Sequence, residues 1–260
     1  MRGTAPVEVS RRGHVAILRL SNPERRNVLD VPTATALQEA VERLGRDPHV
    51  RCVVIAGSDG VFAAGADIRE LEAASTEENL AYNRRLRASV NAVAALPMPT
   101  IAALDGHAIG GGLELALACL LRVAAAEAKL GLPEVKLGVI PATGGLARLP
   151  LLIPRAAAAE LALTGDLITG AEAKELGLVN YAVPAAEVLD RALELADKIA
   201  RVAPLSAQAI VESLGRDGNL PIADANLRVE DRLAALLASS DRREGARAFL
   251  ERREPRFEGH

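Results

Sequence analysis

Apolar positions recur with two different periods along the first half of the chain. Residues 14–20 (HVAILRL) and 50–57 (VRCVVIAG) are short runs rich in β-branched residues and bounded by turn formers, which predicts two strands. Between them Leu37, Val41 and Leu44 repeat at i, i+4, i+7 behind Pro32, a residue suited to a first helical turn, so the segment predicts a βαβ unit. After a glycine-rich loop (57–65), Ser75 followed by Glu78 has the capping-box spacing. It opens a helix that carries Tyr82, Leu86, Val90 and Val93 and that LPMP ends. Residues 100–104 (TIAAL) predict a third strand. A Gly110-Gly111-Gly112 turn, a helix LELALACL, a strand RVAAA and a Gly/Pro-dense stretch (131–145) follow. The pattern then changes. From Val188 onward it is helical, with stripes at Val188, Ala192, Leu195 and Ile199 and at Val229, Leu233 and Leu236. The Ala203-Pro204 pair divides an α/β core (residues 1–203) from a helical region (204–260) whose apolar faces predict packing on the core or on another subunit. Periodicity leaves an open parallel sheet and a coiled, spiral one equally open.

Composition narrows the functional classes. The chain has 260 residues and a net charge of −3, so no global field draws it to nucleic acid or anionic membranes. Aromatic residues make up 2% with no Trp, which leaves little from which to build a base-stacking platform. The most apolar stretch, 101–123, is interrupted by Asp105, His107, Glu114 and Arg122 and by three glycines, a pattern no lipid-spanning helix tolerates. The first thirteen residues (MRGTAPVEVSRRG) lack an apolar signal core, so export is not expected. Cys52 and Cys119 sit in apolar runs and read as buried thiols, which fits a cytoplasmic location.

The motifs of nucleophile-elbow hydrolases, P-loop NTPases, dinucleotide folds and zinc sites are all missing. No metal site is expected. His107 reads as a structural histidine. Two glycine-rich turns remain, residues 62–68 (FAAGADI) and 110–114 (GGGLE). Each would leave backbone N–H groups pointing outward, and two such donors converging would make an oxyanion hole; either turn alone reads equally well as a tight turn. Glu114 in GLELALACLL and Glu134 in GLPEVKLGVIP are carboxylates among apolar neighbours. Desolvation there raises a carboxyl pKa toward the range useful for proton transfer.

FAAGADIREL, PTIAALDGHAIGGGLELALAC, LPEVKLGVIPATGGLARL, LTGDLITGAEAKELGLVN and DRREGARAFLERREPRF resemble, in order, the signatures of the enoyl-CoA hydratase/isomerase (crotonase) family. The resemblance implies a spiral of ββα units and a helical C-terminal region that builds homotrimers, often paired as hexamers. It implies acyl-CoA thioesters as substrates and no cofactor. Carried onto this chain, the N–H groups of Ala66 and Gly111 would hold the thioester oxygen, and Glu114 and Glu134 would position water and shuttle the proton. The backbone around Val28 and from Ala64 through Asp67 to Ile68 would cradle CoA, and Pro133 would line the acyl site. The implied reaction is reversible syn hydration of trans-2-enoyl-CoA to 3-hydroxyacyl-CoA.

The alternatives within the family are an enoyl-CoA isomerase and a methylglutaconyl-CoA hydratase of the AU-binding type, to which GGGLELALAC followed by RVAA is similar. RNA binding is disfavoured, because the first helix (VPTATALQEAVERLGRD) has no lysine and two arginines offset by acids. The chain departs from the family pattern at Leu120, where Asp is usual, and at Ala142, Leu146 and Ala147. The last three bear on pocket shape.

Overall fold

A computed structural model describes residues 5–215 and 217–260; the first four residues of the N-terminal stretch considered for export lie outside them. β1 (Val7–Arg12) pairs antiparallel with β2 (Val15–Leu20). α1 (Val31–Gly45) starts on Asp30, whose carboxylate accepts the Thr33 N–H, with Pro32 in its first turn. It leads to β3 (Cys52–Ala56), parallel to β2, which is the expected βαβ unit.

Three ββα turns follow. The first runs from β3 to β4 (Val61–Ala63) and on to α2 (Ile68–Ala73) and α3 (Thr76–Ala94), with the Ser75/Glu78 capping box in place. The second is β5 (Thr100–Leu104), β6 (His107–Ile109) and α4 (Gly111–Ala118). The third is β7 (Leu121–Ala125), β8 (Lys129–Gly131), a 3-10 turn over Pro133–Leu137, α5 (Gly145–Leu152) and α6 (Arg155–Thr164). β9 (Ile168–Thr169), α7 (Gly170–Glu175) and β10 (Tyr181–Val183) complete the core.

The first strand of each turn joins a six-stranded sheet, β1-β2-β3-β5-β7-β10, and the second joins a four-stranded sheet, β4-β6-β8-β9. This double membership separates a spiral from an open sheet, and periodicity along the chain is blind to it. His107 serves the scaffold: its Nδ1 accepts the Lys129 N–H at 3.0 Å.

Apolar faces of α1 and α3, including Leu37, Val41, Leu86, Val90 and Val93, pack with Phe62, Leu113 and Leu115 into one core. α8 (Val188–Ala200) covers the other face of the large sheet with Val188, Ala192 and Ala196 against Val54, Ile101 and Val123. Cys52 and Cys119 are free, and burial pushes both thiols up to about 12.

α9 (Pro204–Gly215), α10 (Ile222–Ala238) and α11 (Ser240–Glu251) follow the Ala203-Pro204 pair. On α10 Val229 and Leu233 are exposed, whereas Leu236 is half-buried and Leu237 takes its place on the open face.

Candidate active site

β4, β6 and β8 are parallel neighbours in the small sheet, about 4.8 Å from one to the next. The chain leaving the C-terminal end of each carries one candidate residue within a few positions: Ala66 after β4, Gly111 after β6 and Glu134 after β8. Successive turns of the spiral therefore deliver the three to one edge.

The Ala66 and Gly111 N–H groups donate to no protein acceptor among the described residues, although their neighbours are engaged. The Gly65 carbonyl accepts the Leu29 N–H at 2.8 Å, and the Gly110 N–H donates to the Gly131 carbonyl at 2.9 Å. Gly65 has φ +85°, and a Cβ on it would stand 2.8 Å from the Ile109 oxygen and 3.2 Å from the Gly111 nitrogen. The two loops thus touch through glycine, which brings the free donors together. Gly111 also opens α4, where the helix leaves its first N–H groups unpaired. The Ala66 loop is tied down by Arg25, whose guanidinium holds Asp30 and Asp67, both at 2.6 Å, and Glu70 at 3.0 Å.

Glu114 is buried on the first turn of α4, and its carboxylate receives three donors from the segment before and at the start of α5. The Thr143 N–H reaches Oε1 at 2.9 Å, the Gly145 N–H reaches the same oxygen at 2.7 Å, and the Thr143 hydroxyl donates to Oε2. Gly145 must be small: a Cβ there would lie 3.0 Å from Glu114 Cγ and Oε1.

Glu134 is treated differently. Its Oε2 is buried without a hydrogen-bond partner among the described residues. Burial, reinforced by the charge of Glu114, pushes its carboxyl up to about 7. Gly110, at φ +57°, leaves room for it, since a Cβ would stand 2.9 Å from Glu134 Oε1.

One cavity of about 1060 Å³ is lined by Ala64, Ala66, Ile68, Gly111, Glu114, Pro133 and Glu134. Two of the residues named from the sequence stand outside this lining. Val28 is buried in the protein, and the Asp67 carboxylate is taken up by Arg25 and the Arg69 N–H. Of the three departures in the 141–149 segment only Ala142 lines the cavity, while Leu146 and Ala147 are exposed on α5. Beside Leu120, the buried Arg122 guanidinium donates to the Leu178 and Cys119 carbonyls, both at 2.6 Å. Thr143 and Gly145 have no counterpart among the residues singled out from the sequence. The only signal for them is the glycine-rich stretch that contains them.

Two N–H groups without a protein acceptor among the described residues and two carboxyl groups border one cavity, a set of groups that can stabilise a carbonyl oxygen while protons move beside it. Residues 10–260 match the model of one family, described as enoyl-CoA hydratase/isomerase. The chain belongs to the enoyl-CoA hydratase/isomerase family. It is 42% identical over 245 residues to the mouse (Mus musculus) enoyl-CoA hydratase domain-containing protein 2, mitochondrial, covering 92% of this chain and 83% of that protein. It is 36% identical over 254 residues to the enoyl-CoA hydratase EchA19 of Mycobacterium tuberculosis, covering 96% and 95% of the two chains. Among solved structures, the enoyl-CoA hydratase from Bacillus anthracis superposes with a TM-score of 0.96 at 34% identity, over 98% of this chain and 100% of that one. These neighbours identify the two-sheet spiral as the crotonase fold.

Proposed function

We propose that this crotonase-family protein catalyses the reversible syn hydration of trans-2-enoyl-CoA thioesters to 3-hydroxyacyl-CoA. The observation that carries the reading is the contrast between the two carboxyl groups: Glu114 fixed by three donors, Glu134 unpartnered and raised to about 7. Addition of water to a conjugated thioester moves negative charge onto the carbonyl oxygen. The N–H groups of Ala66 and Gly111 are the donors for that charge, and each is worth ~10²–10³ in rate. Glu114 orients the water and takes its proton as the water oxygen bonds the β-carbon. Glu134 gives its proton to the α-carbon. The pair holds one proton before and after, so the return reaction uses the same groups in exchanged roles. An isomerase that moves one proton needs one carboxylate, and a second one held by three donors is redundant for that chemistry.

In this reading acyl-CoA is the substrate and no cofactor takes part. The backbone around Val28 and from Ala64 to Ile68 holds the CoA, and Pro133 borders the acyl group. The protein acts as a homotrimer or a pair of trimers, which the exposed Leu227, Val229, Leu233 and Leu237 of α10 support. We place it in the cytoplasm, where free thiols such as Cys52 and Cys119 persist. No helix among the described residues is long and apolar enough to cross a membrane.

The test is turnover of crotonyl-CoA, followed by loss of the conjugated thioester absorbance, in the wild type and in Glu114→Gln and Glu134→Gln. Loss in both variants supports hydration. Loss in Glu134→Gln alone, with a double-bond shift in the product, supports isomerisation.

A further inference from the structure

The two donor peptides are anchored in different ways. A trans peptide group is planar, with its C=O and N–H pointing in opposite directions, so whatever grips the carbonyl aims the N–H. The Gly111 N–H shares its peptide with the Gly110 carbonyl, which accepts the Glu114 N–H at 3.0 Å in the first turn of α4. The Ala66 N–H shares its peptide with the Gly65 carbonyl, which accepts the Leu29 N–H at 2.8 Å. One donor is aimed by its own helix. The other depends on a segment far back in the chain.

Leu29 is held in turn through its other polar group. α3 forms one wall of the cavity, and from it the Tyr82 hydroxyl donates to the Leu29 carbonyl at 2.7 Å, across 53 positions of sequence. Leu29 is fully buried and no backbone N–H among the described residues reaches that carbonyl, so the phenol is the partner it needs. Burial pushes the Tyr82 phenol well above its ordinary range, which keeps the hydroxyl a donor. The segment it steadies is irregular. Arg26 and Asn27 have φ 54° and 51°, the left-handed region that non-glycine residues rarely occupy, and the Arg26 carbonyl accepts the Ala64 N–H at 3.1 Å. Backbone of this kind keeps its shape only where its neighbours fix it.

We propose that Tyr82 is a positioning residue for the Ala66 donor: by holding Leu29 it sets the direction in which the Gly65–Ala66 peptide offers its N–H to the thioester oxygen. This rests on the role given to Ala66 in the hydratase reading above. The hydrogen bond received by the Gly65 carbonyl also polarises the peptide and strengthens its N–H as a donor. Both effects act on the charge that develops in the transition state and little on ground-state binding.

The test compares the wild type with Tyr82→Phe, which removes the hydroxyl alone. The probe is 4-(dimethylamino)cinnamoyl-CoA, a conjugated thioester whose absorption moves to the red as its carbonyl oxygen is polarised. Tyr82→Phe should show a smaller red shift on binding and lower kcat on crotonyl-CoA by ~10-fold or more, while the Kd of butyryl-CoA changes by less than ~3-fold. A red shift and kcat equal to those of the wild type overturn the proposal. So does a Kd that weakens in proportion to kcat, since Tyr82 then serves binding.

Tyr82 and Tyr181 are the two tyrosines of the chain. Should Tyr82→Phe fail to fold, as seen in its thermal melt, Tyr181→Phe protein produced with 3-fluorotyrosine carries one phenol, at position 82, more acidic and a stronger donor. Its red shift should exceed that of the same variant with ordinary tyrosine, and an equal shift overturns the proposal. The probe also separates this proposal from hydration. A red shift that depends on Tyr82 upholds the positioning role even if no enoyl-CoA is hydrated, and hydration with a red shift indifferent to Tyr82 overturns that role alone. No red shift in the wild type overturns the role of Ala66 and that of Tyr82 with it.

Discussion

Thr143 donates twice to Glu114, its N–H to Oε1 at 2.9 Å and its hydroxyl to Oε2, across 29 positions of sequence. The peptide bond and the side chain of one residue thereby fix both oxygens of one carboxylate. Thr143→Val keeps the N–H and removes the hydroxyl. Misplacing a reacting group by a fraction of an ångström is costly, so kcat should fall by ~10-fold or more with a smaller change in KM. Steady-state kinetics on crotonyl-CoA measures the split, and Thr143→Ser should restore most of the loss.

Glu114→Gln and Glu134→Gln should each lower kcat by ~10²-fold or more, because each removes a proton-transfer group while preserving shape. The wild-type kcat/KM should fall as pH rises through about 7, where Glu134 loses its proton. The same descending limb should appear in the dehydration direction, since the two carboxyl groups share a single proton whichever way the reaction runs. A profile flat from pH 6 to 9 would contradict the assignment of Glu134.

Stability should respond to the same group. Glu134 has a folded-state value of about 7 against an ordinary 4.5, so the folded protein binds this proton more tightly than the unfolded chain does. Below about pH 4.5 both states are protonated and burial of the carboxyl brings no ionic penalty. Between about 4.5 and 7 the penalty grows, and above 7 it is constant. Glu134→Gln should accordingly gain in Tm relative to the wild type from pH 5 to pH 8. Paired thermal melts at the two pH values measure that difference.

Among the consecutive glycines the requirement for a bare backbone differs sharply. A Cβ on Gly111 would meet only Leu86, Gly65 and Leu29 at 3.4–3.8 Å, whereas one on Gly112 would lie 2.1 Å from the Ala63 carbonyl oxygen. Gly112→Ala should destabilise the fold by ~1–3 kcal/mol, and Gly111→Ala should leave the melting curve nearly unmoved. Denaturant titration of the two variants compares them directly.

The exposed stripe of α10 predicts assembly. Replacing both Leu233 and Leu237, each about half exposed, with glutamate should shift the sedimentation coefficient from that of a trimer or hexamer toward a monomer. A wild-type protein that sediments as a monomer at micromolar concentration would remove the role given to this face.

Local chemistry made parts of this molecule readable from the chain. The βαβ start, the Ser75 cap and the helical C-terminal region rest on residues a few positions apart. Glu114 and Glu134 stood out because a carboxylate among leucines and alanines is expensive without a use. The strand β1 went unread: it is the edge of its sheet, with Val7 buried and the other five residues exposed, so it lacks an apolar signature. The partners of Glu114 were equally hidden, since no periodicity joins position 114 to positions 143 and 145. The need for glycine at two of the three positions 110–112 was hidden as well: the left-handed φ of Gly110 and the packing of Gly112 on β4 require it.

The delivery of Ala66, Gly111 and Glu134 by successive strands of the small sheet works like a ruler whose marks are set by backbone hydrogen bonding. The spacing between the backbone of Ala66, Gly111 and Glu134 is then nearly independent of the side chains around them. The α3 wall belongs to no rung of that ruler. Thr76, Asn79 and Asn83, which α3 gives to the cavity, can be rewritten, changing what the cavity accepts, while Ala66, Gly111 and Glu134 stay in register.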